Sequence, residues 1–154
     1  KLLPITLTMT LITQLIYGVL FIIMGMECQG SYIYLSLATI VFIIAYQAVG
    51  LLFISLTANM RLALSLGGGY GVMAFTFSGI TFPTIAMYGV AYGASKLFPL
   101  TYFSEIFIDQ AMRGVPIAED NRRMVCLMLF VIIIPISWHR LRRVLSNDKY
   151  WGRE

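Results

Sequence analysis

Apolar residues run almost unbroken through most of this chain, and polar positions gather in short clusters between the runs. A helix needs roughly 20 mostly apolar residues to cross about 30 Å of hydrocarbon. Four stretches meet that length, at about 3–26, 32–56, 62–82 and 124–144. The first two carry no charge, and the fourth is charged only toward its far end. The pattern predicts an all-α, polytopic membrane helix bundle, organised as one membrane domain over residues 1–154.

The connections differ. Segments 27–31 and 57–61 read as tight polar turns, the second made polar by Asn59 and Arg61. Segment 83–123 is different, about forty residues long, with Pro83, Pro99, Pro116, Gly89 and Gly93 breaking it into short apolar pieces. Pieces of that length are too short to cross a bilayer and fit a re-entrant or external helical hairpin. Proline at positions 83 and 99 would set its turns, because proline ends one helix and fixes the direction of the chain.

Composition agrees with the pattern. Hydrophobic residues make up 59% of the chain and charged residues 12%, about half the share usual in a soluble domain. The net charge is +4, yet the basic residues lie at the ends of apolar runs and form no face for nucleic acid. With residue 1 cytoplasmic, four crossings return the C-terminus to the same side. The inner set is then Lys1, Arg61, Arg140, Arg142, Arg143, Lys149 and Arg153 against Asp148 and Glu154. The outer set has four bases against five acids, the bias expected of inner and outer loops. Trp138, Tyr150 and Trp151 suit an aromatic belt beside the basic tail. Because residue 1 is Lys and an apolar run begins at once, the chain reads as a piece of a longer one.

Few residues invite chemistry. The cluster Gly67-Gly68-Gly69-Tyr70-Gly71 lacks the strand and the Lys-Ser/Thr pair of a phosphate loop. Its small residues four apart, Gly67 with Gly71, predict close helix packing instead. His139 is the only histidine and reads as an interfacial side chain. Gln14 and Gln47 fall in mid-helix, where a polar side chain seeks either another helix or a watery path. A helix–helix hydrogen bond is the ordinary reading, and a lining of the translocation path is the functional one. Glu105, Asp109 and Arg113 recur four apart and form one stripe on a helix, with Asp109 able to pair with Arg113. The expectation is a solvated salt-bridged face, or else the wall of an external vestibule. Cys28 and Cys126 are too few for a disulfide framework, and unpaired thiols are expected. No catalytic residue, cofactor or metal site is predicted.

The ordered motifs Ser78-Gly79-Ile80-Thr81-Phe82-Pro83, then Phe98-Pro99-Leu100-Thr101-Tyr102-Phe103, then Arg113-Gly114 resemble the C-terminal signature of ABC-2 type transporter permeases. Lys1-Leu2-Leu3-Pro4 is similar to the approach to the third spanning helix of such permeases. The resemblance implies helices three to six of a six-helix subunit, with an external excursion before the last helix. It further implies an exporter of the bacterial drug or polymer type in the cytoplasmic (inner) membrane. Its implied partners are a separate ATP-binding cassette subunit, a second permease subunit and membrane lipid, with no nucleic acid. A secondary transporter or channel is the alternative. A membrane-embedded enzyme is disfavoured because the chain has one interfacial histidine and no acid in mid-membrane.

Overall fold

The computed structural model describes residues 2–81 and 87–145, with the backbone alone for 143–145. Pro83 and the C-terminal residues Asp148, Lys149, Tyr150, Trp151, Arg153 and Glu154 lie outside the described residues, as does Lys1. Among the described residues every regular element is helical. Helix α1 spans Leu2–Gly18 and continues as a π-helical turn, Val19–Ile23. Helix α2 spans Tyr32–Thr57 and α3 spans Met60–Phe77. Two shorter helices follow, α4 at Gly89–Ser95 and α5 at Pro99–Ile108, the latter running into a π turn at Asp109–Arg113. Helices α6, Ile117–Val131, and α7, Ile133–Leu145, form one long rod with a break at Ile132.

Local chemistry accounts for the helix ends. Ser31 caps α2 by accepting from the Tyr34 N–H, and Asn59 caps α3 by accepting from the Arg61 N–H. Pro99 opens α5 at a position where its missing N–H costs nothing. The break in the last rod follows from Pro135, which cannot donate to the carbonyl of Val131 four residues earlier. The chain tightens there, and the Ile132 N–H donates to the Leu129 carbonyl instead.

Three helical stretches are long and apolar enough to cross a membrane: Leu2–Ile23, Tyr32–Thr57 and Ile117–Arg142. Helix α3 has 18 residues, about 27 Å of rise, and carries Arg61 and three consecutive glycines, and it is not among these three stretches. It stops at Phe77, short of the expected 82, because the Ser78 and Thr81 hydroxyls both donate to the Phe75 carbonyl. The last rod begins at Ile117, before the expected 124. Glu119 and Asp120 suit the positive end of a helix dipole, so its charged first turns are helical too.

Helix α2 is the axis of the bundle, touched by α1, α3, α5, α6 and α7. Small side chains make this packing close: Ala38, Ala45 and Ala48 are fully buried along α2. By contrast α1 packs mainly on α2, with Tyr17 reaching Phe107 of α5, and Leu3, Leu7, Leu11, Leu15 and Ile22 stand exposed along it and its π turn. That surface has no counterpart in a soluble protein and belongs against lipid or further helices.

The α4–α5 hairpin folds back into the bundle. Its tip lies against the middle of α3, where the Tyr70 hydroxyl donates to the Leu97 carbonyl at 3.0 Å. The Phe98 ring sits 4.9 Å from the Tyr70 ring, which also meets Tyr46 of α2. From there α5 climbs antiparallel to α2, stacking Phe103 on Phe42 at 4.3 Å and ending beside Gly30. Tyr46 lies about 21 Å along α2 from its first residue, so the hairpin spans more than half of that helix.

Two glycines permit its upper end to dock. The Gly30 N–H donates to the Gln110 carbonyl at 2.8 Å, and a Cβ on Gly30 would lie 2.5 Å from Gln110 Oε1 and 2.9 Å from that carbonyl. Gly114 turns left-handed at φ +65, and a Cβ there would lie 2.8 Å from the Gln29 carbonyl oxygen. Gly30→Ala is therefore expected to cost about 1–3 kcal/mol by forcing the α1–α2 loop off α5. Gly50→Ala, where a Cβ meets nothing within 4 Å, should be nearly neutral. Unfolding of the two purified variants in an SDS titration distinguishes these outcomes.

Candidate functional site

The charged residues of α5 and α6 converge at one end of the bundle, around Arg123. Its Nε donates to Glu105 Oε2 at 2.8 Å, and its Nη1 donates to Asp109 Oδ2 at 2.7 Å and to Asp120 Oδ1 at 2.5 Å. Asp109 is almost wholly buried and Asp120 completely so, whereas the Arg123 side chain keeps about a third of its surface open. The second oxygen of Asp109 accepts from Arg113 at 3.1 Å, an i,i+4 pair in which the arginine is exposed. The second oxygen of Asp120 accepts from Gln110 Nε2 at 2.7 Å.

Gln110 completes the network. Fully buried, it also donates from Nε2 to the Val115 carbonyl and accepts the Ser31 N–H at Oε1, both at 3.0 Å. A single side chain thus ties the start of α2, the end of α5, the 114–116 turn and α6. The π turn at Asp109–Arg113 makes this possible. By wrapping extra backbone into one turn, it lets the successive residues Asp109, Gln110 and Ala111 all face inward.

Within the stripe of Glu105, Asp109 and Arg113 the expected Asp109–Arg113 pair forms and Arg113 is exposed, but Asp109 is buried rather than solvated. Glu105 and Asp109 face α6, and Arg123 supplies the cation that makes the burial of Asp109 tolerable. Gln110, Asp120 and Arg123 were not singled out by sequence reading. The available signal was Asp120 three residues before Arg123 at the head of an apolar run, an arrangement costly in a membrane unless another helix answers it.

The remaining sequence candidates lie elsewhere. Gln14 Oε1 accepts from the Tyr32 hydroxyl at 2.6 Å and the Ser36 hydroxyl at 3.3 Å, and Gln47 Oε1 accepts from the Thr6 hydroxyl at 2.9 Å. Both glutamines thus link α1 to α2, at separate levels. Gln47 Nε2 is buried with no partner among the described residues. A Cβ at Gly67 or Gly71 would meet nothing within 4 Å, so the described residues contain no helix pressed closely against them. Gly67 instead borders a cleft of about 250 Å³ with Gly50 and Phe53 of α2. Pro99 is buried at the tip of the hairpin, while Pro83 lies outside the described residues. Cys28 and Cys126 are free thiols.

A cavity of about 530 Å³ lies between α4, α5 and α6, beside the Arg123 network. Tyr92, Lys96, Tyr102, Arg122 and Cys126 are among its lining residues.

A family profile described as ABC-2 family transporter protein matches residues 2–137. No curated protein and no solved structure matches the chain.

Removing the arginine while leaving its buried acids should be severe. Arg123→Met is expected to cost about 3 kcal/mol, near the lower end for breaking a buried pair because Arg123 is partly open. Arg113→Ala, which removes only an exposed partner, should cost less than about 1 kcal/mol. Melting of the two variants in detergent checks the ordering.

Proposed function

Because the chain belongs to the ABC-2 family of transporter proteins, we propose that it forms part of the membrane permease of an ATP-driven exporter. The family match over residues 2–137, covering the bundle from α1 to the middle of α7, carries this reading. The chain is a multi-pass, all-α membrane protein of the ABC permease type. Permeases of this family normally work with an ATP-binding subunit, so hydrolysis is assigned to that partner and translocation to the membrane helices. A second permease subunit would complete the path, and the exposed face of α1 is a surface such a neighbour can cover.

Charge supports an orientation with the C-terminus in the cytoplasm. Arg61, Arg140 and Arg142 gather at the end of the bundle where α2 finishes and α7 ends, and the acid-rich α5–α6 network occupies the opposite end. In that orientation the α4–α5 hairpin dips into the bilayer from outside, and α3 crosses beside it. A bacterial inner membrane is the setting that fits the resemblance of the motifs.

Transport then follows from rocking of rigid parts. ATP binding in the partner would draw two permease halves together at the inner face and spread them outside. The α5–α6 network holds the hairpin to the last span, so the two move as one body. Gln14 and Gln47 are proposed to face the path in at least one state, Gln47 through its unpartnered amide nitrogen. An ion-coupled transporter would want buried acids free to bind a cation or proton. Asp109 and Asp120 are buried, but both are already engaged by Arg123.

Reconstituting the full-length protein with its ATP-binding subunit in lipid tests the proposal. Hydrolysis should depend on the permease, and Gln47→Leu should lower transported substrate per ATP while leaving basal hydrolysis within about twofold. Failure of any ATP-binding subunit to associate would contradict ATP-driven export.

A further inference from the structure

The cavity between α4, α5 and α6 has an uneven charge balance. Lys96, Arg122 and Arg123 line it together with Glu105 and Glu119. Arg123 and Glu105 are bonded to each other, and Arg123 is also held by Asp109 and Asp120. No salt bridge among the described residues involves Lys96, Arg122 or Glu119. The lining itself thus carries three cations against two acids around a space of about 530 Å³; Asp109 and Asp120 lie buried behind Arg123, and Lys96 and Arg122 are the lining cations in no salt bridge among the described residues.

Depth makes the imbalance significant. Lys96 stands next to Leu97, whose carbonyl is fixed to Tyr70 in the middle of α3. Its ammonium has the Tyr92 ring 4.5 Å away, a contact worth only about 0.5–2 kcal/mol. An ammonium at that level of a bilayer costs more than this unless an anion or water reaches it. Arg122 sits in the first turns of α6, and Cys126 one turn below it lines the same space.

The surroundings are apolar. Leu97, Val125 and Leu129, at the hairpin tip and along α6, are all more than half exposed. Tyr102 on the cavity wall packs against Phe130, deeper on α6. A ligand here meets cations inside and lipid-facing side chains alongside. An anionic head with hydrocarbon tails has that chemistry, and the bilayer supplies such molecules at high local concentration.

We propose that this cavity is a lateral binding site for an anionic phospholipid, its phosphate held between Lys96 and Arg122 and its chains lying along Leu97, Val125 and Leu129. The site is separate from Gln14 and Gln47 on the α1–α2 interface, and its occupancy requires no ATP-binding partner.

The test uses the full-length protein in mild detergent, with phosphatidylglycerol and phosphatidylcholine as probes and native mass spectrometry counting retained lipid. Phosphatidylglycerol should be retained in preference, and the double variant Lys96→Ala/Arg122→Ala should weaken its apparent affinity at least tenfold. Arg140→Ala, an exposed cation at the opposite end of the bundle, should leave it unchanged. Equal retention of the two lipids, or an equal loss in Arg140→Ala, overturns the proposal. A second measurement leaves both cations in place. With Cys126 as the only cysteine, its maleimide labelling should slow at least fivefold with phosphatidylglycerol and not with inorganic phosphate. Equal protection by inorganic phosphate would reduce the cavity to a simple anion site, and no protection by either would overturn it.

Discussion

A single arginine answering three carboxylates from two helices is the constraint around which one end of this bundle is organised. Carboxylates such as Asp109 and Asp120 cannot be buried at a membrane boundary without a matching cation. Arg123 provides it, and doing so fixes how α5 lies against α6. Gln110 extends the tie to the α1–α2 loop through the Ser31 and Gly30 backbone. Once that end is pinned, the rest of the hairpin packs through aromatic contacts, Phe103 on Phe42 and Phe98 beside Tyr70. The polar end supplies geometry and the aromatic end supplies contact area.

This division suits a protein that moves as rigid pieces. The hairpin and the last span share charges that neither can lose alone, so they are one mechanical unit. Helix α1 is held differently, through isolated polar contacts such as Thr6 to Gln47 and Tyr17 to Thr39, and through rings near its upper end. Its many exposed apolar side chains leave it the freest large element. In a permease whose halves rock, such an element is suited to face a neighbour or the substrate path.

The long elements were legible in the chain because hydrophobic length is a local property. Runs near 3–26 and 32–56 became α1 and α2 with nearly the same bounds. The short pieces after Pro83 became α4 and α5, of seven and ten residues, which fold back beside α3 and α2. What the chain did not reveal was where the charges point. Regular helical spacing placed Glu105, Asp109 and Arg113 on one stripe, but a stripe has no direction until a partner helix is known. The π turn then broke the regular period and brought Gln110 inward beside Asp109. Asp120 and Arg123 were read as part of an external loop, because an apolar-run criterion starts the last helix only after its charges end. The glycines of α3 show the reverse case, since their small-residue spacing was plain and yet no described helix lies close against them.

A hairpin held within the bilayer by the Arg123 network has a signature that depth-resolved spin labelling reads. A nitroxide at Leu97, compared with one at Asn121, would be measured in lipid for collision with oxygen and with a water-soluble nickel chelate. Leu97 is expected to be open to oxygen and shielded from nickel, with Asn121 showing the opposite. Nickel access at Leu97 equal to that at Asn121 would mean that the hairpin lies in water and would contradict its insertion.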